Sequence, residues 1–430
     1  MGSVKGIIMN VLWLVNTALP EASQLMHEKT SPFGGWFASA SLRLAEREGI
    51  RLSISFPHNG LKKDVRLLRG TNVDYYAFPP VTRKDSQQNA VIKYLRSLLD
   101  AVKPDIVHVF GTEFAHTLAM VNACNEQNIK TVISIQGLVS VIAQHYLTGL
   151  PTTVQNRFTA RDFIRQDNLR QQQRKFVNRG LLEIEALRKV KHVIGRTTWD
   201  KACTSQINPE AQYHFCNETL RDEFYQHKWD IGKIEKQSIF ISQGYYPIKG
   251  LHYMLEAMPL ILMRYPNAKL YVSGPNPLRS DYLLDRVKLD SYGKYIKQIL
   301  RRFDIANNVI FTGILDEQQM CKRYLKSNLF VSPSMVENES NSLSEAKIMG
   351  VPCVASYVGG VAGRIEHGQD GFYYQHDAPY MLAHYACEIF GNDELALHFS
   401  SRAREKGMLR HDAEANLKTL LNIYNQICNQ

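Results

Sequence analysis

The feature that most constrains the fold is a regular alternation of short apolar runs with longer amphipathic stretches. In the first half of the chain, the amphipathic stretches include 36–48, 87–102 and 113–127, and the apolar runs that alternate with them are 6–16, 51–56, 105–110, 131–136 and 191–195. Parallel strands that are covered by helices on both faces have this pattern. The first half is therefore predicted to be a doubly wound α/β domain.

The same alternation starts again after a weakly apolar, charged stretch at residues 217–237, which we interpret as a domain boundary. Strands are predicted at 238–243, 269–273, 308–313, 328–332 and 352–356, and helices at 251–264, 316–326 and 377–389. We predict a first domain at 1–220, a second at 221–395 and a C-terminal helical segment, 396–430, that packs back on them. Two successive doubly wound domains predict a ligand cleft between them, at the carboxyl ends of the strands.

Composition limits the partners and the compartment. The 430 residues contain 51 Lys and Arg against 41 Asp and Glu, and this net charge of +10 suggests an anionic partner: nucleic acid, nucleotide or an acidic membrane. Seven scattered cysteines without a C-x-x-C pair argue against a disulfide framework and a structural zinc site, and they favour a reducing cytosol. No apolar run reaches the roughly 18–20 residues that span a bilayer. The apolar residues 7–15 are interpreted as a buried strand rather than a signal peptide.

The densest chemistry lies in residues 331–352, where a polar loop precedes a short predicted helix, 343–349. Ser342 and Glu345 fit a capping box at the start of that helix. Because a helix N-terminus at the carboxyl edge of a parallel sheet attracts phosphate, we expect a phosphate site at the backbone N–H groups there. Those groups belong to Asn341, Ser342 and Leu343.

Two glutamates, Glu337 and Glu345, are separated by seven residues in this stretch. With Glu337 in the loop and Glu345 in the first helical turn, both carboxylates can face one ligand and accept hydrogen bonds from sugar hydroxyls. The alternative is that Glu345 only caps the helix and Glu337 is only a solvated loop acid. The two residues by themselves leave both interpretations open.

The stretch closely resembles the E-x7-E signature of retaining glycosyltransferases of family 4, which have the GT-B fold. Residues 350–360 and 368–371 downstream match the family as well. Further matches, in the order expected for the family, are at 33–35, 248–250, 273–275 and 311–313. The resemblance therefore spans nearly the whole chain and is specific for the class of enzyme, but not for its substrate.

The resemblance implies two Rossmann-like domains that face a central cleft, with a nucleotide-diphosphate sugar, UDP- or GDP-linked, as the donor. Glu337 would hold hydroxyls of the donor sugar and Glu345 the ribose of the nucleotide. Lys249 would neutralise the diphosphate together with the amides of 341–343.

Glycines carry the other implied contacts. Gly359 and Gly360 would let a loop approach the donor closely, and Gly274 would lie in the same donor site. Gly34 and Gly35 would meet phosphate or acceptor from the first domain.

Two positions depart from the family pattern. Many relatives have Gly-Arg where this chain has Gln243 and Gly244, so one phosphate-binding cation is absent. Either Lys249 and the helix dipole suffice, or Arg364 substitutes for it. The second departure is Gln136, because relatives often carry a histidine there and glutamine cannot act as a general base. The alternative first-domain bases are Glu113, His116 and His145.

The reaction that the resemblance implies is transfer of a hexose-type sugar, with retention, to a hydroxyl of a glycan or lipid-linked acceptor in surface glycan synthesis. No D-x-D motif occurs, although residues 337–339 (Glu-Asn-Glu) could mimic one, so we expect no metal and no other cofactor. We expect no covalent intermediate either, since no nucleophile stands out. The alternatives are a nucleotide-sugar epimerase or phosphorylase on the same scaffold, or a catalytically silent scaffold protein in a glycan-assembly complex.

Positive charge is concentrated in residues 157–179, which are predicted to form a basic amphipathic helix. Two interpretations are open: contact with anionic lipid or a lipid-linked acceptor, or an ordinary solvated helix that packs its apolar stripe. The segment lacks a recognised nucleic-acid-binding fold, so nucleic acid is not expected as a partner. We expect a cytoplasmic protein, and contact with lipid would place it at the inner face of the membrane.

Overall fold

Two parallel β-sheets organise the computed structural model, which describes residues 9–30, 35–62, 64–83, 89–278 and 289–430. The chain divides into two units. The first contains the residues up to Val141, then Asn178–Arg221 and Asp412–Gln430, and the second contains Ile142–Val177 and Asp222–His411. The prediction had placed residues 142–177 in the first domain, whereas they group with the second unit.

The sheet of the first unit has eight strands in the order β3-β4-β2-β1-β5-β6-β7-β8. Neighbouring strands are parallel except for the antiparallel pair β3 and β4. The strands are β1 Met9–Leu14, β2 Ile50–Pro57, β3 Arg66–Arg69, β4 Asp74–Phe78, β5 Ile106–Phe110, β6 Lys130–Ser134, β7 His192–Gly195 and β8 Gln212–Phe215. The helices up to the end of this sheet are α1 Pro20–Leu25, α2 Gly35–Ala45, α3 Asn89–Val102, α4 Ala115–Glu126, α5 Val139–His145, α6 Thr152–Gln155, α7 Ala160–Arg165, α8 Leu169–Arg188 and α9 Thr198–Ile207.

The sheet of the second unit has six strands, all parallel, in the order β11-β10-β9-β12-β13-β14. The strands are β9 Glu235–Ile241, β10 Lys269–Ser273, β11 Val309–Gly313, β12 Ser327–Ser332, β13 Cys353–Ser356 and β14 Phe372–Tyr374. The remaining helices are α10 Asp222–Gln226, α11 Leu251–Arg264, α12 Ser291–Arg302, α13 Glu317–Lys326, α14 Asn341–Met349, α15 Pro379–Gly391, α16 Asp393–Arg410 and α17 Ala413–Cys428. The prediction of two doubly wound α/β domains is confirmed.

Each sheet has one point where the strand order reverses. In the first unit β1 lies between β2 and β5, and in the second unit β9 lies between β10 and β12. Loops that leave neighbouring strands on opposite faces open a crevice at such a point, and ligands of doubly wound sheets bind there. The residues that follow β9 and β12 are therefore the first place to look for a site in the second unit.

The last helix, α17, belongs to the first unit and packs into its core. Its apolar residues Leu417, Ile423 and Ile427 are buried in the same core as Trp13 of β1. The Oη atom of buried Tyr424 accepts a hydrogen bond from Nε1 of Trp13 (2.9 Å) and lies 2.6 Å from Nδ1 of His108. The C-terminal residues thus complete a core whose other members come from the beginning of the chain.

The prediction that the basic segment 157–179 forms one amphipathic helix is wrong. Gln166 adopts a left-handed conformation (φ 49°) that ends α7, and a new helix, α8, starts at Leu169. Arg161 is buried, with Nη1 3.1 Å from Oδ1 of Asp162, whereas the apolar side chains of Phe163 and Ile164 are 68% and 79% exposed.

Within the described ranges, no helix combines the length and the apolarity needed to cross a bilayer.

Candidate active site

Lys249 and Glu337, which the sequence places 88 residues apart, are in contact at the switch point of the second sheet. Lys249 ends a short 3-10 turn, Pro247–Lys249, after β9, and Glu337 lies in the loop after β12. Nζ of Lys249 donates to Oε2 of Glu337 (2.6 Å), and Oγ of Ser334 donates to the same oxygen (3.2 Å). Both charged side chains are partly exposed, so a ligand at this edge of the sheet can reach them.

The backbone holds these two loops together. Gly250, directly after Lys249, is left-handed (φ 70°), and a Cβ atom at this position would lie 1.7 Å from the carbonyl oxygen of Pro333. The amide of Met335 also donates to the carbonyl of Ile248 (2.7 Å). Only glycine permits this approach, which sets the position of Lys249 relative to the loop that carries Glu337.

The helix after Glu337 starts two residues earlier than predicted, and its cap is a different serine. Ser340 is the N-cap residue of α14, and its Oγ accepts from the amide of Leu343 (3.3 Å). The predicted capping box of Ser342 and Glu345 is therefore wrong: Ser340 has the extended backbone that a cap requires, whereas Ser342 is already helical. Because the amide of Leu343 donates to the cap, the predicted phosphate site is reduced to the amides of Asn341 and Ser342 in the first turn of α14.

Glu345 is buried on α14, one turn from the start of the helix. Tyr324 of α13 donates its hydroxyl to the carbonyl oxygen of Ser342 (3.0 Å), and the same hydroxyl lies 3.3 Å from Oε2 of Glu345. Helix α13 thus supports both the first turn of α14 and the carboxylate that is predicted to bind ribose.

Gly359 and Gly360 pack against the main chain of Glu337. The amide of Gly360 donates to the carbonyl oxygen of Glu337 (3.0 Å). Gly359 is left-handed (φ 48°), and a Cβ atom there would lie 2.2 Å from that oxygen. The two glycines therefore position Glu337 from the side of β13, a role that the sequence did not indicate.

Replacing Gly359 by alanine should displace Glu337 and lower kcat/KM for the donor by roughly tenfold or more, since a shift of about 1 Å in a catalytic group costs up to about 100-fold. The matched control is Gly363→Ala, because Gly363 is also left-handed (φ 86°) but its Cβ atom would meet nothing within 4 Å. Both variants bear the left-handed strain of about 1–2 kcal/mol, and only Gly359→Ala adds the clash. Equal kinetics of the two variants would contradict this role of Gly359.

Gly274 follows β10 in a left-handed conformation (φ 96°), and its amide donates to the carbonyl of Gly313 (2.9 Å). A Cβ atom at Gly274 would lie 3.7 Å from Cγ of Gln243, at the end of the neighbouring strand β9. Gly274 and Gln243, one of the departures from the family pattern, are therefore neighbours at the carboxyl edge of the sheet.

The second acid of the 337–339 stretch faces inward. Glu339 is buried, with Oε1 3.3 Å from Nη2 of Arg364 and 3.6 Å from Nε of Arg410. A buried carboxylate between two guanidinium groups is already neutralised. Arg364 therefore forms an ion pair within the protein, which weakens the hypothesis that it takes the place of the missing phosphate-binding arginine.

A second buried ion pair lies beneath α14 and was not predicted. Nζ of Lys347 lies 3.1 Å from Oδ2 of Asp370, and both side chains are less than 10% exposed. The pair borders a cavity of about 360 Å³ that the charged side chains of Arg364, Lys406 and Arg410 also line. The sequence signal was a lysine among the largely apolar residues 346–351, but its partner lies 23 residues away.

The predicted residues of the first unit also have protein partners. Oε1 of Glu113 accepts from Nη2 of Arg179 (2.7 Å), and Nε2 of Gln136 donates to Oε1 of Glu218 (2.6 Å). Gly35 is the first residue of α2, and Gly34 lies outside the described residues.

The candidate bases of the first domain lie in different surroundings. Burial lowers the pKa of His116 to about 3, and its Nε2 lies 2.9 Å from Oδ1 of Asn16. His145 is exposed and groups with the second unit. Sequence reasoning missed Glu183, a buried carboxylate whose oxygens accept from the amides of Val139 and Ser140 at the start of α5 (2.9 Å each), and burial raises its pKa.

Comparisons with known proteins show what the chain is similar to. Residues 223–406 match the family described as Glycosyl transferases group 1. The chain is 25% identical over 190 residues to an uncharacterized glycosyltransferase (MJ1607) of Methanocaldococcus jannaschii, which covers 44% of this chain and 45% of that protein. It is also 25% identical over 199 residues to N-acetyl-alpha-D-glucosaminyl L-malate synthase of Bacillus anthracis, covering 46% and 48%. The chain spans about half the length of these curated relatives.

The whole chain resembles solved structures. Anabaena Alr3699/HepE in complex with UDP-glucose is 16% identical, with a TM-score of 0.65 over 97% of this chain and 100% of that one. The fold is GT-B, as the sequence predicted. Lys249 and Glu337 lie at the switch point of the second sheet, the place where doubly wound sheets bind ligands.

Proposed function

We propose that this protein is a retaining glycosyltransferase of the family 4 type, which moves a hexose-type sugar from a UDP-linked donor to a hydroxyl group of a glycan or lipid-linked acceptor. The observation that carries the proposal is the contact of Lys249 with Glu337 beside the N-terminus of α14. It lies within residues 223–406, the segment that matches the glycosyl transferases.

The main task of the proposed donor site is to stabilise the negative charge that develops on the leaving diphosphate. Nζ of Lys249 would turn from Glu337 to the diphosphate, where the amides of Asn341 and Ser342 add the positive end of the helix dipole. Glu337, released from Lys249, would accept hydrogen bonds from hydroxyls of the sugar. Before the donor binds, the ion pair thus holds both side chains in place. When the donor binds, its diphosphate would replace Glu337 as the partner of Lys249, and its sugar hydroxyls would replace Lys249 as the partner of Glu337.

The acceptor hydroxyl would attack from the face on which the diphosphate departs. In the first unit Gln136 cannot take a proton, and Glu113 is held by Arg179. We therefore propose transfer without a covalent intermediate. Because Lys249 and the N-terminus of α14 can stabilise the leaving diphosphate, we also propose that the donor needs no divalent metal. Added Mg²⁺ or Mn²⁺ should change kcat by less than about twofold, and a strict requirement for either ion would contradict this part of the proposal.

UDP is the proposed nucleotide because Alr3699/HepE, a structural neighbour, was solved with UDP-glucose. The experiment is a thermal-shift panel of UDP-, GDP-, ADP- and dTDP-sugars. A donor at 100 times its Kd stabilises the protein by about 2.7 kcal/mol, so the correct nucleotide should stand out. The best donor is then incubated with lipid-linked and free glycan acceptors, and the anomeric configuration of the product is read by NMR.

The outcomes separate the alternatives. Release of UDP only when an acceptor is present, with a retained anomeric configuration, supports the transferase. Isomerisation of the donor sugar without any acceptor would identify an epimerase, and transfer of the sugar to inorganic phosphate without a glycan acceptor would identify a phosphorylase. Binding without turnover of any donor would identify a silent scaffold protein.

The part in surface glycan synthesis is proposed together with a site of membrane contact. Phe158, Phe163 and Ile164 are exposed beside basic residues, an arrangement that suits an anionic lipid surface. Exposed basic residues of this segment are Arg165, Arg170, Arg174 and Lys175. Such contact would place the protein at the inner face of the membrane.

A double substitution, Phe163→Ser with Ile164→Ser, should therefore lower binding to phosphatidylglycerol vesicles by roughly tenfold or more, because burial of each side chain contributes about 1.5–3 kcal/mol. Leu409→Ser, at another exposed apolar residue of the second unit, is the control. Co-sedimentation with vesicles measures both. Unchanged binding of the double variant would exclude this surface as the site of membrane contact.

A further inference from the structure

Three side chains with the chemistry of metal ligands meet in the second unit, away from the residues assigned to the donor. They are Glu223, His227 and Cys321, and their ligand atoms all lie within 4.8 Å of one another. Nε2 of His227 is 3.0 Å from Oε1 of Glu223. Cys321 comes from a part of the sequence more than 90 residues away.

The elements that carry them are firmly packed. Glu223 lies on α10 and His227 directly follows that helix, one helical turn further on, while Cys321 lies on α13. Phe224 of α10 contacts Tyr324 of α13 edge-on, with ring centroids 5.9 Å apart, and both rings are fully buried. The three candidate ligands thus lie on, or directly after, two helices that pack against each other.

The set of donor atoms favours one kind of ion. A thiolate, an imidazole and a carboxylate suit Zn²⁺, whose bonds of about 2.0–2.3 Å in tetrahedral geometry place ligand atoms about 3.3–3.6 Å apart. The present separations, 3.0 Å between His227 and Glu223 and at most 4.8 Å for the other pairs, lie close to that range. Cys321 is buried, whereas His227 and Glu223 are partly exposed, so an ion could enter from solvent and keep a water molecule as its fourth ligand.

We propose that Glu223, His227 and Cys321 form a Zn²⁺ site. It shares no residue with the proposed donor site and does not depend on the proposed function. The competing interpretation is that Glu223 and His227 form only a local ion pair, one helical turn apart, and that Cys321 has a purely structural role.

The site would be linked to the donor region through α13. Tyr324 follows Cys321 by three residues, and its hydroxyl contacts the carbonyl of Ser342 and Oε2 of Glu345. An ion bound by Cys321 would therefore hold the helix that supports the N-terminus of α14. This linkage is a consequence of the site, and the test of the site is metal binding alone.

The test uses the full chain, freed of metal by chelation and titrated with Zn²⁺ against a chromophoric competitor. We expect one equivalent of Zn²⁺ per chain in the wild type, and affinity lower by roughly tenfold or more in Cys321→Ser and in His227→Gln. Cys203→Ser and His384→Gln, which remove a partly exposed thiol and an exposed imidazole elsewhere, should bind as the wild type does. Equal affinity of Cys321→Ser and Cys203→Ser, or no stoichiometric binding, would overturn the proposal.

Co²⁺ supplies a second readout that does not depend on affinity. A thiolate-to-cobalt charge-transfer band should appear in the wild type and in Cys203→Ser and should be absent from Cys321→Ser. Thermal unfolding of the metal-free variants shows whether each is folded. A band that persists in folded Cys321→Ser would assign the thiolate ligand to another cysteine and overturn the site.

Discussion

Replacing Lys249 by alanine should lower kcat for sugar transfer by roughly 100- to 1000-fold, the size of effect found when one stabilising donor is removed from a charge that develops in the transition state. The lysine is the proposed cation for the leaving diphosphate, and the family arginine that could share this task is replaced by Gly244 in this chain. We expect the loss mainly in kcat, because the charge on the diphosphate grows as the sugar departs. Initial rates of UDP release with saturating acceptor measure it.

The fold should survive this change. The pair of Lys249 with Glu337 is partly exposed, and such pairs contribute about 1 kcal/mol or less to the free energy of unfolding. Lys236→Ala is the matched control, because Lys236 also forms an ion pair, with Asp393 (2.8 Å), but on the open surface of the same unit. If kcat of Lys249→Ala fell within about threefold of the control, the assignment of Lys249 would be wrong.

The largest effect on stability is expected at Asp370. Its carboxylate is buried, lies 3.1 Å from Nζ of Lys347 and also accepts from the amide of Glu366 (2.7 Å). Asp370→Ala would leave the Lys347 ammonium buried without this partner, and such a loss costs about 3–5 kcal/mol. Burial already lowers the pKa of Lys347, and the nearby Asp370 charge opposes that shift. Denaturant unfolding measures the change in the free energy of unfolding.

A second variant distinguishes the lost ion pair from a general packing defect. Lys347→Met in the Asp370→Leu background removes both charges and fills the space with apolar groups, so it should recover most of the lost stability. Lys236→Ala, which breaks only an exposed pair, should cost about 1 kcal/mol or less. Equal stabilities of Asp370→Ala and Lys236→Ala would show that the buried pair contributes little.

The sequence predicted most of the strands that lie inside the two sheets, although it missed the interior strand β4. Strand β10 and helix α11 have the predicted bounds, and every residue of β5 and β12 is buried, so their apolar runs stand out from the surrounding polar residues. The strands that were missed include the sheet edges β3 and β8, which are short and largely exposed. An edge strand needs fewer apolar residues, so its pattern does not separate it from a loop.

Residue type alone could not predict the residue at which α14 starts. Ser340 and Ser342 both precede a helical stretch, and each is a good N-cap by residue type. The structure makes Ser340 the cap, since its backbone is extended. The loop that precedes it packs against Gly250 and Gly359, far away in sequence, and those contacts set the backbone conformation that local propensity left open.

The sequence by itself determined the two doubly wound units, through apolar periodicity, and the residue types at the proposed site. The roles of Glu337, Glu345 and Lys249 came from the family resemblance, because the spacing of these residues alone left other interpretations open. Tertiary structure alone decided which charges meet. Glu339 with Arg364, Lys347 with Asp370, and Cys321 beside Glu223 and His227 are brought together by strand pairing and helix packing. Periodicity reports whether a residue is buried, but a buried charge is stabilised by one particular partner, and only the fold brings that partner within a few ångströms.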